Sequence, residues 1–238
     1  MLKVLVCIFA YNEGPKLERV INRFPAERNY DILVMDDGST DSTQELLSTH
    51  PSILTLRNEK NMGIGYAMKR VFHYGIGQQY EVIIPFAGND KDRPEDIPVL
   101  LEAINDGFEF VQGSRYAKGG NYGNMPFYRQ IATRYLHPSL FSIISGMKIS
   151  DSTNGFRAIH TKILKDSQID YNQDWLNQYE LEPYIFYKAI KTGFRVTEVP
   201  VTKIYPPKQL GKYTKMKPIT GWWSILRPLI FLGLRIKA

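Results

Sequence analysis

The chain has 238 residues, 43% hydrophobic and 23% charged, with a single cysteine and a formal net charge of +6. This is the balance of a globular protein with one large domain, or a domain with an appendage, and the lone Cys7 excludes an internal disulfide framework. All the basic excess lies in residues 199–238, where eight Lys and Arg meet no acidic residue; the rest of the chain carries a net −2, which excludes the spread basic face of a nucleic-acid binder.

In chain order, the apolar start through Ala10 runs directly into Tyr11-Asn12-Glu13, with neither a basic leader nor a small-residue cleavage site. It is expected as a first strand, not a signal peptide, and Cys7 as a buried thiol in a reducing, cytoplasmic compartment. Lys3 to Phe9 reads as a strand, Pro15 to Phe24 as a helix, Tyr30 to Met35 as a strand, and Asp41 to Ser48 as a helix opened by a Ser/Thr/Asp cap. Ile53 to Arg57, Glu81 to Phe86 and Phe108 to Gln112 follow as strands, separated by helices over Gly63 to Tyr74 and Glu95 to Asn105. This alternation predicts an α/β fold, a mostly parallel sheet covered by helices on both faces. Beyond Gly113 the pattern loosens into a Gly- and Tyr-rich loop, helices near Tyr128 to Ile144 and Tyr179 to Lys191, and a strand from Arg195 to Val201.

Two polar loops follow apolar strands. After Val82 to Phe86 come Ala87-Gly88-Asn89-Asp90-Lys91-Asp92-Arg93-Pro94, and hard oxygen groups at a strand's carboxyl edge suit Mg²⁺ or Mn²⁺ held by Asn89, Asp90 and Asp92. The competing reading is a solvated turn in which Asp92 caps the next helix and Arg93 pairs with it. After Leu33 to Met35 come Asp36-Asp37-Gly38-Ser39-Thr40-Asp41. Capping accounts for Ser39, Thr40 and Asp41 but does not need two consecutive aspartates; a carboxylate at a strand tip can also accept bonds from ribose hydroxyls or a base edge.

Ala10-Tyr11-Asn12-Glu13, Asp36-Asp37-Gly38-Ser39-Thr40-Asp41 and Asn61-x-Gly63-x-Gly65 together resemble the inverting family 2 glycosyltransferases of GT-A (Rossmann-like) fold. Gly113-Ser114-Arg115, Arg129, Asp151-Ser152-Thr153-Asn154-Gly155-Phe156-Arg157 and Glu198-Val199-Pro200-Val201 resemble the dolichyl-phosphate mannose synthase branch of that family. The resemblance implies a catalytic domain over residues 1–215. It implies a UDP-sugar or GDP-sugar donor held by Ala10, Tyr11, Glu13, Asp37, Asn61, Gly88 and Asn89, with Arg115 and Arg129 on its diphosphate. Asp151 is implied to lie beside the acceptor, as general base if the acceptor is a hydroxyl, with Glu180 and Glu182 as second choices. A lipid-phosphate acceptor would need no base. The chain departs from the family at the Asp-x-Asp metal motif: counting back from Pro94-Glu95, its place is taken by Ala87-Gly88-Asn89, leaving a shifted ligand set or neutralisation by side chains such as Lys91 and Arg93 as the two alternatives.

Residues 206–215 are basic, and the resemblance implies a loop, with Lys208 and Lys212, that closes over the phosphates. The tail 216–238 mixes Trp222, Trp223 and aliphatic residues with cations, and is too short and charged to span a bilayer. It is expected as a basic amphipathic helix, interrupted by Pro228, that lies on the cytoplasmic face of a membrane; packing on the protein's own core is the alternative. The expected partners are the donor, a polyprenyl-phosphate or surface-glycan acceptor and the membrane surface, with no nucleic acid. An idle sugar-nucleotide binder at the membrane and a nucleotidyltransferase are the competing functions.

Overall fold

The computed structural model describes residues 2–205 and 218–237. Its strands are β1 (Val4–Ala10), β2 (Asp31–Asp36), β3 (Leu54–Arg57), β4 (Val82–Ala87), β5 (Phe110–Ser114), β6 (Arg157–His160) and β7 (Val196–Pro200). They form one sheet in the order β3-β2-β1-β4-β6-β5-β7. Pairing is parallel from β3 through β4 and between β5 and β7; β6 runs antiparallel to both β4 and β5.

The central strands are apolar on both faces because helices cover both. On one face Leu5, Cys7, Leu33, Met35 and Ile83 pack with Val71 and Phe72 of α3 (Ile64–Gly77) and Tyr184 of α8 (Leu181–Lys191). On the other, Val6, Ile8, Val34, Ile84 and Phe86 meet Leu17 and Val20 of α1 (Gly14–Arg23) and Leu100 of α4 (Ile97–Asn105). Cys7 is fully buried, and burial pushes its thiol up, as expected of an inert packing residue. Pro85 is tolerated inside β4 because β6 pairs with β4 only at Val82 and Ile83, so the missing N–H lies past that ladder.

The remaining helices are α2 (Thr43–Ser48), α5 (Phe127–Ile131), α6 (His137–Ser145), α7 (Thr161–Lys165) and α9 (Pro218–Gly233). A π turn over Ala132–Leu136 joins α5 to α6 in one long helical stretch, as the pattern near Tyr128 to Ile144 predicts. The fifth strand lies two residues later than expected, because Phe108 N–H bonds Ala103 O and so still closes α4.

β6 has no counterpart in the sequence expectations. Four residues, Arg157-Ala158-Ile159-His160, are too few to display alternation, and their extended state depends on the slot between β4 and β5. In the tail, the alternative of packing on the protein's own core holds for one face of the helix. The one cation of α9, Arg227, turns toward buried Glu180, and Leu229 and Leu232 join the core, so one face of the helix packs against α6 and α8. Its other side leaves Trp223 and Ile230 exposed.

Candidate active site

In this sheet order β1 has β2 on one side and β4 on the other, so the crevice outside their carboxyl ends is where an open α/β sheet receives a ligand. The loops after these strands are tied to one another. Asp37 N–H bonds Ala10 O at 2.9 Å, and Gly88 N–H bonds Phe9 O at 3.0 Å. Asn12, in the left-handed region at φ 50°, donates its N–H to Ser39 Oγ and accepts Thr40 N–H on Oδ1. Both acidic loops therefore leave a common rim, with Tyr11 and Glu13 between them. The Glu13 carboxylate is buried and paired with Lys16 at 2.7 Å.

Asp37 organises a third loop. Its carboxylate accepts Asn58 Nδ2 at 2.6 Å, Met62 N–H at 2.9 Å and Gly63 N–H at 3.0 Å. This fixes the turn that carries exposed Asn61 and starts α3. Gly38 makes the approach possible: at φ 75° it is left-handed, and a Cβ there would strike the Lys60 backbone. Asp36 accepts Ser39 N–H at 2.8 Å and lies 3.4 Å from Arg57 Nε. Asp41, expected as part of a cap for its own helix, accepts Thr43 N–H there and also Gly14 N–H at the start of α1.

The three oxygens expected to hold a divalent ion turn to different partners. Asp90 is left-handed at φ 60° and directs its carboxylate to Arg19 (2.8 Å) and Arg23 (3.1 Å) of α1. Asp92 accepts Ala87 N–H on Oδ2 at 3.1 Å and pairs through Oδ1 with Lys203. Asn89 Oδ1 is buried with no hydrogen-bond partner, and Ala87 offers no ligand. Mg²⁺ and Mn²⁺ are held by carboxylates together with phosphate oxygens. Among the described residues no three His, Cys, Asp or Glu side chains converge, and both nearby carboxylates are already neutralised by cations. The described residues do not fit a resident divalent ion. Arg93 lies 3.6 Å from Glu95, not against Asp92 as the turn reading expects.

Across the crevice, Arg115 and Asp151 face each other inside the protein. Arg115 Nε donates to Oδ2 at 2.6 Å and Nη2 to Oδ1 at 2.7 Å; a further 2.6 Å bond joins Nη2 to Thr153 Oγ1. Burial opposes charge on both groups, but the pairing prevails: the Asp151 carboxyl lies below the usual carboxylate range and the Arg115 guanidinium is pushed up. Glu198 at the end of the sheet accepts Ser150 and Asp151 N–H at 2.7 and 2.9 Å, which sets the loop in place.

Cations gather around Tyr205. Arg115 Nη1 lies 3.4 Å from its hydroxyl, Lys91 Nζ 5.3 Å and Arg129 Cζ 5.9 Å from the ring centre. The segment after β7 is held to the β4 loop by Ile204 N–H to Lys91 O, 2.8 Å, and by the Lys203–Asp92 pair; Lys203 also reaches Asn154 Oδ1 at 3.2 Å. Burial, then the charges of Lys203 and Arg129, push the Lys91 ammonium down to about 7, against the opposing pull of Asp92 and Glu13. Arg129 has no carboxylate partner among the described residues.

Glu180 is 1% exposed, and its Oε1 accepts Ser224 Oγ at 2.6 Å and Arg227 Nη2. Beneath it His137 bridges Ser152 Oγ (2.7 Å) and Ile225 O (3.3 Å), joining α6, the Asp151 loop and α9. Glu182 lies 3.4 Å from buried Arg157. The rim thus assembles Ala10, Tyr11, Glu13, Asp37, Gly88 and Asn89, while Arg115, Asp151 and Glu180 lie beneath it in ion pairs. Lys208 and Lys212 lie outside the described residues. Sequence reading did not single out Lys203, Tyr205 or Ser224. The available signal for the first two was their place just past the Glu198-Val199-Pro200-Val201 strand, the position from which other strands of this sheet feed the rim.

A sequence profile described as Glycosyl transferase family 2 matches residues 5–167. Polyprenol monophosphomannose synthase of Mycolicibacterium smegmatis is 30% identical over 88% of this chain and 79% of its own. Undecaprenyl-phosphate mannosyltransferase of Micrococcus luteus is 29% identical over 92% of this chain and 90% of its own. Glucosyl-3-phosphoglycerate synthase from Mycobacterium tuberculosis, solved with Mn²⁺, UDP and its product, superposes with a TM-score of 0.71 at 15% identity, covering 98% of this chain and 79% of that one, and so shares the fold.

Proposed function

The chain belongs to glycosyl transferase family 2, and on that premise we propose that it transfers a sugar, with inversion, from a nucleoside-diphospho-sugar to a polyprenyl phosphate at a membrane surface. The donor's base and ribose are read by Tyr11, Glu13 and the Asp37 loop, and its diphosphate lies toward Lys91 and Arg129. Relatives whose names give polyprenol and undecaprenyl phosphate as acceptors support the acceptor class.

One observation carries the choice of a phosphate over a hydroxyl. All three carboxylates expected as general base are ion-paired, Asp151 with Arg115, Glu180 with Arg227 and Glu182 with Arg157, and the first two are also buried. A hydroxyl acceptor must lose a proton to such a base, whereas a lipid phosphate arrives as an anion. Its oxygen forms the new bond to the anomeric carbon as the bond to the diphosphate breaks. The departing nucleoside diphosphate keeps the electron pair, and no proton moves. The cations on the diphosphate side stabilise the charge that develops on the leaving group. In this scheme Asp151 is a positioning residue that holds Arg115.

A peripheral membrane location fits the surface. No helix among the described residues is long and apolar enough to cross a membrane. Phe127 and Ile143, 74% and 76% exposed, lie on the α5–α6 stretch, and Ile230 is exposed on α9, which packs against α6.

The test is transfer from a panel of UDP- and GDP-sugars to undecaprenyl phosphate, to the corresponding alcohol and to an oligosaccharide, read by mass spectrometry of the products. Transfer to the phosphate alone is expected. Equal transfer to the alcohol or the glycan overturns the acceptor assignment, and nucleotide binding without any turnover across the panel returns the idle binder.

A further inference from the structure

We infer that Lys91, flanked by Lys203 and Arg129, occupies the role at the donor diphosphate that a divalent ion fills in metal-dependent sugar transfer, so that this protein binds its donor without metal. The inference rests on the donor reading above and specifies how the same site neutralises phosphate.

The β4 loop offers no free carboxylate to a metal. Ala87 has no oxygen ligand, Asp90 is turned to Arg19 and Arg23, and Asp92 holds Lys203 and the Ala87 N–H. Removing Asp92 from Lys203 to serve a metal would leave a largely buried cation uncompensated, Asp92 itself being 1% exposed.

What the loop has in place of ligands is positive charge at fixed positions. Lys91 is 6% exposed, and its backbone carbonyl is bonded to Ile204 N–H, so the loop cannot swing it away without breaking the bridge to the segment after β7. Asp92 and Asn154 hold the Lys203 ammonium from two sides. Arg129 reaches in from α5, and the Tyr205 ring lies against both its guanidinium and the Lys91 ammonium. Three cations from three separate segments thus stand within electrostatic reach of one another. Asp92 and Glu13 offset this crowding only in part, and a diphosphate would add oxygens for Lys91 and Arg129. An ammonium presents three donors and a compact charge, and so supplies the neutralisation a metal would give, without carboxylate ligands.

The experiment measures UDP and GDP binding to the full chain by calorimetry and thermal shift, in EDTA and again with Mn²⁺. We expect dissociation constants in the two buffers to agree within about threefold, and ligand-induced stabilisation to be retained in EDTA. Lys91→Gln should weaken binding in EDTA by about tenfold or more, and Lys91→Arg should keep most of it. Binding that appears only with Mn²⁺ overturns the inference while leaving the donor reading intact, as does wild-type affinity in Lys91→Gln. Absence of binding in both buffers overturns the donor reading and this inference with it. The comparison of buffers uses the unmodified chain and so does not depend on either variant folding.

Discussion

Arg115 and Asp151 form a two-pronged ion pair that solvent barely reaches, with side-chain exposures of 3% and 0%. The Asp151 carboxylate also accepts the Arg115 N–H at 3.1 Å and the Thr153 N–H at 3.2 Å, so its charge is matched on every side. A residue whose sequence context points to acceptor chemistry is thus part of the frame beneath the site.

Breaking that pair from one side should be costly, because the other charge stays buried without its partner. Asp151→Asn is expected to lose about 3–5 kcal/mol, and the double change Arg115→Met with Asp151→Leu clearly less. Urea unfolding of the three proteins decides it. A single variant within about 1 kcal/mol of wild type would contradict the frame role.

The buried His137 makes stability sensitive to mild acid. Burial, against the opposing effects of the Ile225 carbonyl and the Asp151 charge, holds its pKa at about 4. The unfolded chain titrates this ring near 6.5, so on acidification the unfolded state takes the proton first. Stability is therefore full above about pH 6.5 and falls by up to about 3 kcal/mol as pH drops to about 4. Asp151, held low in the folded state, adds a separate loss only at still lower pH. In His137→Gln the decline between pH 6.5 and 4 should flatten in denaturant titrations; an unchanged slope would assign it to other groups.

Asp37 carries both a structural and a binding expectation, and two readouts separate them. Asp37→Ala leaves Asn58 Nδ2 and the Met62 and Gly63 N–H groups without their acceptor, at a cost of about 2–3 kcal/mol. Asp37→Asn should cost a similar amount, since an amide nitrogen would face those donors. Thermal unfolding reads the first effect and UDP binding at low temperature the second. Affinity unchanged in a folded Asp37→Ala protein would remove Asp37 from the donor site.

The apolar surface of α5 and α6 can be tested without touching the interior. Changing Phe127 and Ile143 together to Ser should leave stability within about 0.5 kcal/mol, because both side chains are exposed. Association with anionic vesicles should fall by tenfold or more, given about 1.5–3 kcal/mol for each large apolar side chain withdrawn from water. Flotation assays measure this. Undiminished vesicle binding would place the lipid contact elsewhere.

Sequence periodicity was enough for the framework. The near-continuous apolar runs of β1, β2 and β4 can be stable only with helices on both sides, and the Asp-Asp-Gly turn after β2 marks its carboxyl end; strand by strand, this part of the fold was legible. Local signals failed where the structure depends on distant partners. Arg157 to His160 became a central strand because a slot existed for it, and one face of α9 is buried because Glu180 and the core of α6 and α8 receive it.

From its residues alone this chain determined a strand-helix alternation, the acidic rim and the absence of an acid at Ala87. Which carboxylates remain available for chemistry was decided by the tertiary structure, since a charge is committed or free according to the cation that packing brings to it. Arg19 and Arg23 for Asp90, Lys203 for Asp92, and Arg115 for Asp151 all come from segments separated in sequence. Desolvation makes the Lys203–Asp92 and Arg115–Asp151 pairings hard to undo, and no pattern along the chain records them.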